Sequence, residues 1–140
     1  SWTEVGDLNT ARRTLAGGGI STSAILAGGD TGSTVGIAES WNGSAWSEVA
    51  DLTTTRRRAA GGGTSNTAAL IFAGTTGSNS ALTELWDGTS WTEVADMSSA
   101  RQLLGGTGTP AAALAFGGGD SNSTEEWTNP TLVIKTISTD

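Results

Sequence analysis

The chain has no cysteine, no histidine and no tyrosine among its 140 residues. Without cysteine there is no disulfide framework and no thiolate chemistry, and thiol usage says nothing about compartment. Without histidine and cysteine, the commonest general base and the most nucleophilic side chain are both excluded. Basic residues are scarce: six Arg and one Lys stand against 14 acidic side chains, giving a formal charge of -7. Nucleic acid and anionic membrane surfaces both call for clustered Lys and Arg, so neither is an expected partner. No apolar run approaches the roughly 20 residues of a membrane-spanning helix, so no membrane insertion is expected. The chain opens on Ser1 rather than Met, which makes the lack of a visible signal peptide uninformative.

What the chain does have is repetition, together with 21 Gly and six Trp. The string W-x-E-V-x-D-[L/M]-x-x-x-R occurs three times, from Trp2 to Arg12, Trp46 to Arg56 and Trp91 to Arg101. The Trp spacings are 44 and 45 residues, so the chain reads as three copies of one unit. Within the second unit, the small-residue segment Arg56 to Gly63 predicts a strand that lets neighbouring backbones approach closely. The polar Thr64 to Thr67 predicts a turn. Ala68 to Gly74 is short and apolar, as for a strand buried on both faces. Thr83 to Gly88 and Ser90 to Asp96 predict two strands around a tight turn, with Trp86 and Trp91 beside it. The equivalent stretch of the first unit carries Asn42-Gly43, a hairpin signal. Each unit therefore predicts four antiparallel strands, ordered inner to outer along the chain. A helix over Ala111 to Phe116 is disfavoured: Thr109-Pro110 and Gly117 to Gly119 leave it too short to stand without strong packing. The fold class is all-β.

Four-stranded units of this length, stacked radially, are what a β-propeller requires. The details resemble kelch repeats. A Gly-Gly pair ends the second strand at Gly28-Gly29 and Gly117-Gly118, with Ala73-Gly74 in the middle unit. An aromatic residue follows in the third strand (Trp41, Trp86, Trp127), and a Trp opens the fourth (Trp46, Trp91). Arg12, Arg56 and Arg101 stand at the start of each first strand. The resemblance runs to about Trp127. The units are shorter than the usual kelch length of about 50 residues, and their third-strand aromatic is Trp rather than Tyr. The subtype E-x-W-x-G-x-x-W-x-E-V is similar to kelch-like repeats of tail-fibre and other structural proteins in marine bacteriophages. That resemblance implies a non-enzymatic structural or binding module in a virion or extracellular setting. It implies one propeller domain, with repeats at about 1–44, 45–89 and 90–128 and a tail strand over 129–140.

The ends of the chain set a closure problem. Trp41 has Trp46 and Trp86 has Trp91 across the last hairpin, but Thr128-Asn129-Pro130 follows Trp127 where a turn and a second Trp are expected. Trp2 has the mirror problem, opening a fourth strand with no third strand before it. The strand missing from the last unit is thus the one that Ser1 to Val5 supplies. Three blades are fewer than the usual four to eight or so, whereas two chains closing head to tail give six. Ring closure by Trp2, Val5 and Trp127 within a homodimer is the expectation. Two alternatives stay open: the chain is part of a longer protein that closes on itself, or Thr131 to Ser138 supplies the fourth strand. Burying one Trp contributes on the order of 4–6 kcal/mol gross, an upper bound, so leaving two unpaired per chain forgoes much.

For function, the absences decide most. A kelch oxidase using Tyr, Cys and His around copper is excluded, as is a propeller sialidase with a Tyr nucleophile. Glu39, Glu84 and Glu125 recur at one spacing, and so do Glu4, Glu48 and Glu93. A carboxylate repeated in every unit reads as structural, because catalysis needs one asymmetric environment. Arg12, Arg56 and Arg101 form a candidate anion- or acidic-sugar-binding face, and the alternative is ion pairing with a repeated acid. Arg13, Arg57 and Arg58 are expected to be more exposed. Trp41, Trp86 and Trp127 are sugar-stacking candidates, as in a propeller lectin, or packing residues between blades. Asp30 and Asp120 open loops that hint at oxygen ligands but lack calcium-loop spacing, so ordinary Asx turns are favoured and no metal is expected. The runs Gly17 to Gly19 and Gly61 to Gly63 are not phosphate loops, and no cofactor is expected. Recognition of a protein or glycan ligand is expected on the variable loops Asp30 to Gly36, Thr75 to Ala81 and Asp120 to Ser123. An excised or engineered propeller fragment is a further reading.

Overall fold

The computed structural model describes residues 1–131. The fold is all-β, with eleven antiparallel strands in three sheets and no helix among the described residues. Sheet 1 holds β1 (Ala16–Ile20), β2 (Ser23–Ala27), β3 (Ala38–Trp41) and β4 (Trp46–Val49) in chain order. Sheet 2 repeats this with β5 (Ala60–Ser65), β6 (Ala68–Phe72), β7 (Thr83–Trp86) and β8 (Trp91–Val94). Sheet 3 holds β9 (Gly105–Gly108), β10 (Ala112–Phe116) and β11 (Thr124–Thr128), three strands among the described residues. The expected tail strand over 129–140 falls almost wholly outside the described residues.

One local detail differs from the sequence reading. The strand expected from Arg56 begins instead at Ala60. The reason is backbone conformation: Arg58 sits at φ 55°, left-handed and incompatible with a strand, and Thr14 and Leu103 do the same at 55° and 58°. The Asn42-Gly43 hairpin closes through a four-residue loop in which Asn42 Oδ1 accepts the N–H groups of Ser44 and Ala45 at 2.9 and 3.0 Å.

Strand alternation gives each sheet two unlike faces. The pairings Ala16 with Ala27, Ala60 with Phe72 and Gly105 with Phe116 align the three second strands. One face, here called forward, carries Ile25 and Ala27, Leu70 and Phe72, Leu114 and Phe116. The rear face carries Ala24 and Leu26, Ala69 and Ile71, Ala113 and Ala115. Ile25 and Ala27 pack on Ala69 and Ile71, joined by Trp86 and Trp91. Leu70 and Phe72 pack on Ala113 and Ala115, joined by Trp127 and Met97. Forward face therefore meets rear face twice. The forward face of sheet 3 is left open, with Leu114 42% and Phe116 43% exposed.

The first strands of the three sheets lie side by side, β1 against β5 and β5 against β9. Glycine makes that approach possible. A Cβ on Gly18 would strike the Gly62 backbone, and one on Gly62 would lie 2.7 Å from the Gly108 carbonyl oxygen. Just before these strands, Arg58 N–H donates to the Thr14 carbonyl at 2.8 Å and Leu103 N–H to the Arg58 carbonyl at 3.0 Å. The three left-handed residues thus form a hydrogen-bonded chain across the sheets. Holding Thr, Arg and Leu there costs about 1–3 kcal/mol each, which the neighbouring contacts offset.

Candidate functional site

Each sheet carries one buried Arg–Glu pair, built from the connection entering the sheet and from its third strand. Arg12 meets Glu39, Arg56 meets Glu84 at 2.5 Å and Arg101 meets Glu125 at 3.2 Å. The first two pairs have 0% side-chain exposure on both partners, while Glu125 keeps 21%. The Arg also donates to backbone: Arg56 Nη1 reaches the Leu82 carbonyl at 2.6 Å, and Arg101 Nη1 the Ser123 carbonyl at 2.8 Å. The Glu in turn caps the incoming loop. Glu84 accepts Thr53 N–H at 2.8 Å and Thr54 N–H at 3.2 Å. Glu39 accepts Asn9 N–H and Nδ2–H at 2.8 and 2.9 Å, and Glu125 accepts Ser98 N–H at 2.7 Å.

These contacts explain the carboxyl acidities. Burial pushes Glu39 up, but the Asn9 and Thr10 donors and the Arg12 guanidinium outweigh it and hold the carboxyl below its ordinary value. Burial likewise pushes Glu125 up, and the Ser98 donors with the Arg101 charge bring it below. Arg12, Arg56 and Arg101 therefore bind their own fold: each guanidinium is enclosed in a separate sheet.

Asp30 is buried, and its Oδ1 accepts Gly32 N–H at 2.8 Å, an Asx turn. Its other oxygen takes Arg57 from the connection into sheet 2, with Arg13 at 3.7 Å. The Gly32 N–H and the Arg57 guanidinium hold Asp30 below its ordinary value. Asp120 is exposed and lies in a separate loop, so the two acids are not brought together. Of the cations expected to be more exposed, Arg13 is 76% and Arg57 33% exposed. Among the described residues no group of three or more His, Cys, Asp or Glu is placed to hold a metal.

The third-strand Trp side chains face inward. Trp41, Trp86 and Trp127 donate Nε1–H to the carbonyls of Ser21, Asn66 and Pro110 at 2.9, 2.8 and 3.0 Å. Trp41 and Trp86 are buried, each against its fourth-strand Trp at 5.3 and 5.1 Å between ring centroids. No flat sugar-stacking face is presented by either. Trp127 is half-buried and has no such aromatic partner among the described residues. Trp2 is 103% and Val5 65% exposed, outside any sheet.

What remains open to a ligand is the set of loop tips between second and third strands. Thr31 to Ser33 and Thr76 to Asn79 are exposed, and Asp120 to Ser123 is largely so. Their bases are rigid: Thr75 Oγ1 accepts Gly77 N–H at 3.2 Å just as Asp30 accepts Gly32, and Val35 and Ser80 N–H bond back to Gly29 and Gly74 at 3.0 and 2.9 Å. No helix among the described residues is long and apolar enough to cross a membrane. Compared with known proteins, the chain matches no family model, and a search of curated proteins finds no relative.

Proposed function

We propose that this chain is half of a six-bladed, kelch-like β-propeller, closed by two copies head to tail, and that it acts as a non-enzymatic binding module. The observation that carries the reading is the directional packing of the sheets. Forward face meets rear face at both internal boundaries, and the glycine-rich first strands lie side by side, β1 against β5 and β5 against β9. The open forward face of sheet 3 and the rear face of sheet 1, half-buried at Ala24 and Leu26, are then the two halves of a third such boundary. One chain supplies three sheets; two supply six, within the range of about four to eight at which propellers close. The resemblance to kelch-like repeats of phage structural proteins adds the setting, a fibre or particle surface where the module binds a protein or receptor.

Recognition falls to the loop tips, which stand on a rigid frame and differ in sequence between units. The buried Trp and the internally paired Arg favour these tips over lectin-type pockets between blades. The test is a labelled protein applied to a glycan panel and to whole bacterial cells, beside a variant carrying Thr31→Ala, Thr76→Ala and Asn122→Ala. The tips contribute nothing to the core, so the variant should keep its melting temperature and lose binding. Undiminished binding by that variant contradicts the assignment. Glycan retention lost only on changing Trp41 or Trp86 would favour the lectin.

A further inference from the structure

The boundary between sheets 2 and 3 contains a cleft. It encloses about 380 Å³, its open mouth included, and is lined by Phe72, Ala95, Met97, Ala113, Glu125 and Trp127 among others. The repeat register identifies what fills the equivalent place one boundary earlier. There, Leu52, Ala69 and Trp86 stand where Met97, Ala113 and Trp127 stand here, and the space among them holds Trp91. Trp91 is 5% exposed and donates Nε1–H to the Ala50 carbonyl at 3.0 Å. Ala50 follows β4 as Ala95 follows β8, and among the described residues the Ala95 carbonyl has no donor.

We propose that this cleft is the receptor for Trp2 of a second copy, with Trp2 Nε1–H donated to the Ala95 carbonyl and Ser1 to Val5 added as the fourth strand of sheet 3. The inference rests on the two-chain ring and names the contact that locks it. Three observations carry it. First, Trp2 heads the same W-x-E-V string as Trp46 and Trp91 and is fully exposed. Second, β7 pairs with β8 as Trp86 with Trp91 and Thr83 with Val94, so Trp2 to Val5 matches Trp127 to Thr124 residue for residue. Third, the chain just after the donor segment is anchored. Asn9 is tied to Glu39 four residues after Val5, as Thr53 is tied to Glu84 four residues after Val49. Main-chain pairing supplies affinity, and the indole slot supplies register, as in other strand-addition interfaces.

Backbone groups at the same junction match. Leu103 N–H uses the Arg58 carbonyl and Arg58 N–H the Thr14 carbonyl, while the Thr14 N–H and the Leu103 carbonyl have no partner among the described residues. Gly29 and Gly74 donate to the carbonyls of Arg56 and Arg101 in the following sheet, both at 2.9 Å. Gly118 N–H and the Arg12 carbonyl, neither with a backbone partner among the described residues, are the corresponding pair at the two ends.

The experiment uses the full chain with Trp2→Ala, and separately with Thr3→Cys plus Glu126→Cys, the facing pair on the added strand. Trp2→Ala should keep the β-sheet circular dichroism and raise the dimer dissociation constant at least about 30-fold per junction, the scale of a hot-spot Trp. A short thiol cross-linker should convert the double-cysteine chain into covalent dimer. A dimer that tolerates Trp2→Ala and forms no such cross-link overturns the Trp2 receptor while leaving the ring. A monomeric wild type overturns both. Cross-linking confined within one chain likewise overturns exchange between copies.

Discussion

Glu84→Gln isolates the electrostatic design of the sheets. Glu84 and Arg56 are both fully enclosed, 2.5 Å apart, and the same carboxylate accepts two loop N–H groups. A neutral amide in place of that carboxylate would leave the Arg56 charge uncompensated in a low-dielectric site. Removing one member of a buried pair costs about 3–5 kcal/mol. The same change at Glu125 should cost about 1–2 kcal/mol, because that carboxylate is 21% exposed and water screens what is lost. The pair Arg56→Met with Glu84→Leu removes the stranded charge but still deprives Thr53 and Thr54 of their acceptor. It should recover part of the loss and remain destabilised by about 1–3 kcal/mol. Urea unfolding followed by Trp fluorescence, at one fixed protein concentration, measures all three against the parent chain. A Glu84→Gln cost no larger than that of Glu125→Gln would refute the claim that burial sets the strength of these pairs.

Three further outcomes follow from the same contacts. Glu39 and Glu125 sit below their ordinary 4.5, and Asp30 below its ordinary 3.8, as does Asp87, which accepts the Ser90 and Thr89 N–H groups in the hairpin loop after β7, so the fold binds the ionised forms better than the unfolded chain does. That contribution is complete above those ordinary values and is lost as pH falls through the folded ones; the urea midpoint should be flat above about pH 5.5 and drop steadily toward pH 3. Gly62→Ala places a methyl group against the Gly108 backbone and should cost about 1–3 kcal/mol, read as a lower melting temperature. Asp30→Asn keeps the acceptor for Gly32 but weakens the tie to Arg57, so it should destabilise the sheet 1–sheet 2 boundary by less than Glu84→Gln does, in the same urea assay.

The strand plan was legible because the repeat places the same residue types at the same points three times. Trp41 with Trp46 and Trp86 with Trp91 mark their hairpins, and Ala68 to Phe72 reads as a two-sided strand from its apolar run. The left-handed turn before each first strand was not legible. Thr14, Arg58 and Leu103 carry no Gly or Asn signal, and the conformation is imposed by hydrogen bonds to other sheets. The Arg partners were only half legible. Arg and Glu recur, but the separations of 27, 28 and 24 residues vary with loop length, so chain spacing does not pair them. Asp30 illustrates the same gap: its local turn follows from sequence, whereas its tie to Arg57 depends on how two sheets meet. The cleft had a sequence signal, the missing partner of Trp127, although its lining by Ala95 and Met97 required the fold.

The most direct test of the central claim is the mass of the intact chain in solution, by light scattering across a concentration series. Twice the 14.0 kDa chain mass, falling toward one chain on dilution, is the result expected of a ring closed by two copies. A folded species that keeps the single-chain mass at every concentration would contradict it.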